Sequence, residues 1–230
     1  MLLRRSTAAR RPRRARTALL LALTLAGVLP ATSALAAPET RTPTPEVEAF
    51  TPYQGQTACE QVLRDGVLRF RDLVLAAYPE TGDSGMLRSC GVGGVSEHKE
   101  GRAWDWRVSA DDPEQVLLVD DLLTWLLAPD ELGNPAAMAR RLGVMYVIWD
   151  SKVWKSYQAA KGWQPYSGAS PHTDHVHFSF GWAGALGATS YWTGQVAPVM
   201  TRPEPVAVAR SLVELRRLGK ASLPGPWRRH

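Results

Sequence analysis

Val62, Leu63, Val67, Leu68, Phe70, Leu73, Val74 and Ala77 recur at helical spacing, and Tyr78-Pro79 closes the helix they predict. Thr81–Ser96 is rich in glycine and reads as a loop. Over Ala103–Val108, Trp104, Trp106 and Val108 alternate with Asp105 and Arg107, which predicts a short strand with one apolar face. Asp111-Asp112-Pro113-Glu114 has a proline near the first turn and acids at the positive end of the helix dipole, so a helix is expected through Val116–Leu127. Asn134-Pro135 opens a further helix that stops at Gly143. Val144–Trp149 and His175–Phe180 read as strands. Helices followed by a few strands predict an α+β domain, a small antiparallel sheet with packed helices.

The ends of the chain read differently. Residues 1–36 carry Arg4, Arg5, Arg10, Arg11, Arg13, Arg14 and Arg16, then the apolar run Thr17–Leu29, then Ala34-Leu35-Ala36 before Ala37. A basic run, a short apolar core and a small-x-small site are the pattern of a cleaved signal peptide. The apolar run is shorter than the ~20 residues a spanning helix needs, and Pro30 closes it, which argues against an anchor. Residues 37–57 hold Pro38, Pro43, Pro45 and Pro52 among Thr and Glu and are expected as an extended linker. The domain is expected over 58–197. A C-terminal extension follows over 198–230, with a possible helix at Val206–Leu218 and a loose tail.

Charge then changes meaning. The 230 residues carry a formal +5, but the seven arginines of the leader account for it: without them the 27 basic residues fall to 20, against 22 acidic. The exported form gives no electrostatic reason to expect nucleic acid as a partner, or a membrane once the leader is removed. Cys59 and Cys90 are the only cysteines, and an even pair in an exported chain predicts a disulfide. The sequence leaves the oligomeric state open.

The candidate chemistry lies in two patches, Ser96–Asp105 and Pro171–Phe178, which hold four of the five histidines. A neutral imidazole is the commonest metal ligand. On a strand His175 and His177 face the same way, so either both bind a metal or one binds and the other sits beside it. A carboxylate with two imidazoles is a donor set that zinc uses in hydrolytic sites.

Ser96-x-His98-x-x-Gly101-x-Ala103-x-Asp105 resembles the S-x-H-x-x-G-x-A-x-D motif of the zinc D-alanyl-D-alanine peptidases, with every fixed position present. The second patch departs from them. Asp174 and Val176 stand where that branch has a glutamate and, usually, a tryptophan, and His172, His175 and His177 are similar instead to the H-x-x-H-x-H of the penicillin-insensitive murein endopeptidases. Both belong to the lysostaphin–Hedgehog group. Cys59–Phe180 resembles more closely an uncharacterised domain of secreted actinobacterial proteins. The group implies a Hedgehog/D-Ala-D-Ala-peptidase-like fold, a small antiparallel sheet holding one Zn2+. Carried onto this chain, His98, Asp105 and His177 are the implied ligands. His175 is the implied neighbour that deprotonates water or stabilises the tetrahedral intermediate, with Asp174 the alternative base and His172 a substrate-side hydrogen-bond partner. An arginine upstream of the motif contacts the reacting carbonyl in the dipeptidase branch; for Arg88 the resemblance leaves that part and a plain surface arginine both open. Arg102, at a variable motif position, is expected to be solvated or to pack.

Nine tryptophans are many for this length and are mostly expected in the core, while Trp149, Trp154, Trp163 and Tyr166 flank the approach to the second patch. The expected function is a secreted, cell-wall-associated zinc peptidase or amidase acting on the peptide part of peptidoglycan. The alternative is a noncatalytic cell-wall or protein-binding module of the same fold with a structural zinc. The missing glutamate is the feature on which the two part.

Overall fold

The structure is a computed structural model and describes residues 37–203. The signal peptide expected over 1–36 and the helix expected over 206–218 lie outside the described residues. One six-stranded sheet has the order β1 (Gly82–Gly85), β2 (Ala103–Arg107), β6 (His175–Phe180), β3 (Val144–Trp149), β4 (Lys152–Lys155), β5 (Gln164–Pro165), with every neighbouring pair antiparallel. The helices are α1 (Asp65–Ala77), α2 (Pro113–Leu127), α3 (Ala137–Leu142) and the short α4 (Trp182–Ala185) and α5 (Ser190–Thr193). The fold is α+β, as the periodicities predict.

Alternation along the strands separates an apolar face from a polar one. Trp104, Trp106, Val147, Trp149, Val176, Phe178 and Phe180 turn toward Val67, Phe70 and Val74 of α1 and Leu118, Val119, Leu122 and Leu126 of α2. The Phe70 ring meets Trp104, Phe178 and Phe180 edge-on, with centroids 5.1 to 5.9 Å apart, so one helical side chain ties two adjacent strands together. Asp105, His175, His177 and Ser179 occupy the other face. A bulge in β3 brings Tyr146 to them. Val144 pairs with Phe180 on the apolar side, the register then shifts, and Tyr146 pairs with Ser179. One extra residue reverses the sidedness of the rest of the strand, sending Tyr146 to the polar face and Val147 to the core.

Three local expectations are corrected. The first helix begins at Asp65 rather than Val62, because the preceding residues are drawn sideways. Glu60 N–H donates to Lys99 O at 2.7 Å, and Val62 and Leu63 are exposed. Within the expected loop 81–96, Gly82–Gly85 forms edge strand β1 on β2, its Gly-Asp-Ser-Gly sequence having no apolar alternation to announce it. The helix expected from Asn134 begins at Ala137, since the Asp130 carboxylate accepts from the Leu132 and Asn134 backbone and from the Asn134 amide, holding a turn there.

Residues 37–57, expected as a linker, form no helix or strand and lie against the domain. The fully buried Arg141 donates to the carbonyls of Thr44 (2.7 Å) and Glu46 (3.2 Å). The Glu48 carboxylate accepts from the backbone and hydroxyl of Ser190 at 2.5 and 2.8 Å. Among the described residues no helix is long and apolar enough to cross a membrane.

Cys59 and Cys90 are bridged, with Cα atoms 5.8 Å apart. The bridge closes a loop with a sequence separation of 31, for which restriction of the unfolded chain contributes about 3–4 kcal/mol. Reduction and alkylation are therefore expected to lower stability by about that amount in denaturant melts. The unreduced protein should also show no thiol reactive toward alkylating agent when unfolded. Two titratable thiols, or an unchanged midpoint after reduction, would contradict the bridge or its role.

Candidate metal centre

The first patch is built to reverse direction sharply before β2. Glu97–Glu100 is a single 3-10 turn that ends at Gly101, whose φ is 68°. That left-handed conformation favours glycine, and a Cβ there would lie 1.9 Å from the Val62 carbonyl oxygen, so the motif position excludes every other residue twice over. Glu100 and Arg102 on either side are both fully buried and paired, with Nε at 3.0 Å and Nη2 at 2.5 Å from Oε2. Arg102 also donates to the carbonyls of Phe180 (2.7 Å) and Gln54 (2.8 Å), while Glu100 Oε1 accepts from the Thr57 and Ala58 backbone. Burial alone would raise the Glu100 carboxyl, but those backbone donors and Arg102 hold it below the usual carboxylate range. Arg102 is thus a packing residue, completely removed from solvent.

The turn places His98 over the polar face of β2 and β6. Asp105 and His177 are register partners on those strands. His98 Nε2 lies 3.1 Å from Asp105 Oδ1 and 3.3 Å from His177 Nδ1, and His177 Nδ1 lies 2.9 Å from Asp105 Oδ1. Three ligand-type atoms from two distant patches therefore converge on one point, and His98, Asp105 and His177 form a group that could hold a metal ion. Tetrahedral bonds of about 2.0–2.2 Å require ligand atoms about 3–4 Å apart, a separation close to the one observed. Burial would raise the Asp105 carboxyl, but hydrogen bonds with His177 and His98 outweigh it and hold it well below the carboxylate range. Burial pushes the His177 imidazole down, so it is held neutral with a lone pair to share.

The other nitrogen of His177, Nε2, is 2.8 Å from Ser179 Oγ. With the proton on Nε2 donated to Ser179, Nδ1 is left free to coordinate. Tyr146 stacks on the same imidazole at 5.5 Å and donates its hydroxyl at 2.5 Å to the buried Glu97, the residue before His98. Burial and Glu97 push the Tyr146 phenol far up, so it stays a donor. Glu97 and Tyr146 thereby link the turn carrying one candidate ligand to the strand beside the other. Sequence reasoning missed both, Glu97 because it fills a variable motif position and Tyr146 because only the bulge turns it inward.

His175 sits beside the group without joining it. Its Nε2 is 3.7 Å from Asp105 Oδ1, and its Nδ1 is 2.7 Å from Asp174 Oδ1. Asp174 itself is directed into solvent, its side chain 84% exposed. His172 is buried with φ 55° and its Nδ1 donates to Ser170 O at 2.7 Å, leaving Nε2 as an acceptor. Its ring is 4.8 Å from that of His175 and 5.8 Å from that of His177. Burial pushes its imidazole down to about 4, so it is neutral at pH 7. Arg88 is tied to the site through its backbone, with its N–H donating to His98 O at 3.3 Å. Its side chain is exposed and forms no ion pair or hydrogen bond with His98, Asp105 or His177.

No curated protein and no solved structure matches the chain. A family model described as VldE, C-terminal domain, matches residues 59–177, from the first half-cystine to His177. With more than half of its length covered by that match, the chain belongs to the VldE C-terminal domain family.

Proposed function

We propose that this chain is an exported zinc-dependent peptidase or amidase that hydrolyses the peptide part of peptidoglycan. The observation that carries the proposal is the convergence of His98 Nε2, Asp105 Oδ1 and His177 Nδ1 with a further histidine alongside. Two imidazoles and one carboxylate suit zinc in a hydrolytic site, where three protein ligands leave a position open. The glycine-dependent turn positions His98, and the Ser179 hydrogen bond and the Tyr146 ring turned inward by the bulge orient His177. A disulfide and a leader of signal-peptide type support export.

Zinc, when bound, polarises a carbonyl as a Lewis acid and acidifies water. His175 Nε2 accepts the proton of the attacking water and returns it to the departing nitrogen. Asp174 holds the His175 Nδ1–H, which keeps the basic lone pair on the nitrogen facing the site. His172 offers Nε2 to a substrate N–H, and Arg88, whose exposed side chain makes no hydrogen bond among the described residues, would have to swing toward the site to meet the oxygen that gains charge. An oriented, partly exposed base beside the ligands favours hydrolysis over the binding module. Incubating the purified protein with muropeptides is the test. Cleavage products should form with zinc, vanish with chelator and return on adding zinc. Intact muropeptides under all three conditions would leave the binding module.

A further inference from the structure

Arg107 is the last residue of β2, two positions beyond Asp105 and so on the same face of the sheet. Its register partner on β6 is His175, and its partner on β1 is Gly82. The guanidinium lies over that glycine. A Cβ built on Gly82 would come within 2.3 Å of Nη2, 2.4 Å of Nε and 2.7 Å of Cζ. The absent side chain at position 82 therefore leaves a cradle in which the guanidinium rests. Arg107 is exposed, and among the described residues it makes no ion pair and no side-chain hydrogen bond. The carboxylates on neighbouring strand positions are already engaged: Asp105 with His98 and His177, Asp174 with His175, and Asp83 with Arg71 and Trp104.

A cation with no acidic partner among the described residues, resting over Gly82 in the same cross-strand row as His175, presents a planar fork of donors matched to a carboxylate. We propose that Arg107, cradled by Gly82, binds a free carboxylate of the substrate. Adjacent strands lie about 4.8 Å apart, so a group resting over β1 is roughly 10 Å from β6. Extended peptide spans about 3.3–3.6 Å per residue, which places that carboxylate within about two to three residues of the scissile bond. The substrate class is then peptides with a free carboxylate near the cut, in preference to amidated or cross-linked ones. This assignment rests on the peptidase reading for what is cut, but not for what is bound.

The test is calorimetric titration of the full chain, with one equivalent of zinc and without metal, using N-acetyl-trialanine and its C-terminal amide in all-L and all-D forms. The acid is expected to bind at least about tenfold more tightly than the amide in one configuration, as a charge-assisted two-point contact allows. Arg107→Gln should bring the ratio to near one, Arg107→Lys should keep part of it, and Gly82→Ala should lower it by displacing the guanidinium. Zinc stoichiometry, which Arg107 does not touch, should be unchanged in Arg107→Gln and reports an intact fold. A ratio unchanged in Arg107→Gln, equal affinity for acid and amide in the unaltered protein, or no binding of either overturns the proposal. If muropeptides stay intact while the ratio still collapses in Arg107→Gln, the peptidase reading falls and the carboxylate site stands.

Discussion

His177→Ala protein is expected to lose stoichiometric zinc, whereas the unaltered chain retains about one equivalent through gel filtration. The substitution removes one of three converging donor atoms and leaves His98 and Asp105 as an incomplete pair. It also strips Ser179 of its imidazole partner and opens space against the Tyr146 ring, which stacks on His177. Changes to groups that merely support a ligand cost about 10–100-fold in metal affinity, so loss of the ligand itself should cost more than about a hundredfold. Competition with a chromogenic chelator measures it. A His177→Ala protein that still holds one equivalent with comparable affinity would show that the metal sits elsewhere.

The candidate ligands were legible through the motif resemblance, and the constraints that bring them together are local. Gly101 must be glycine where the turn meets β2, and Asp105 must alternate with Trp104 and Trp106 for the strand to keep its tryptophans inside. His175 and His177 share a face for the same period-two reason. What escaped depends on tertiary pairing. Tyr146 reaches His177 only through a register shift against β6, which a continuous apolar run does not reveal. β1 exists because β2 offers it a ladder of hydrogen bonds, and that strand in turn supplies Gly82 beneath Arg107. Residues 37–57 have the composition of a linker, yet buried Arg141 and Glu48 anchor them through partners far away in sequence.

His175→Ala is expected to separate metal binding from hydrolysis. Its Nε2 is 3.7 Å from Asp105 Oδ1 and outside the set of mutually close donors, so the variant should keep one equivalent of zinc. Hydrolysis of a muropeptide should fall by about 10²–10⁴-fold, the range over which a positioned acid–base group acts. Asp174→Asn should cost far less, about tenfold or below. The Asp174 side chain is 84% exposed, so solvent screens its charge, and an asparagine oxygen can still accept the Nδ1–H. The graded order, His175→Ala much worse than Asp174→Asn with zinc intact in both, is the signature of Asp174 orienting His175. If Asp174→Asn were the more damaging change while His175→Ala hydrolysed normally, Asp174 would be the base. Loss of zinc from His175→Ala would instead make His175 a fourth ligand and leave Asp174 and His172, whose Nε2 has no partner among the described residues, as the neighbours able to take a proton.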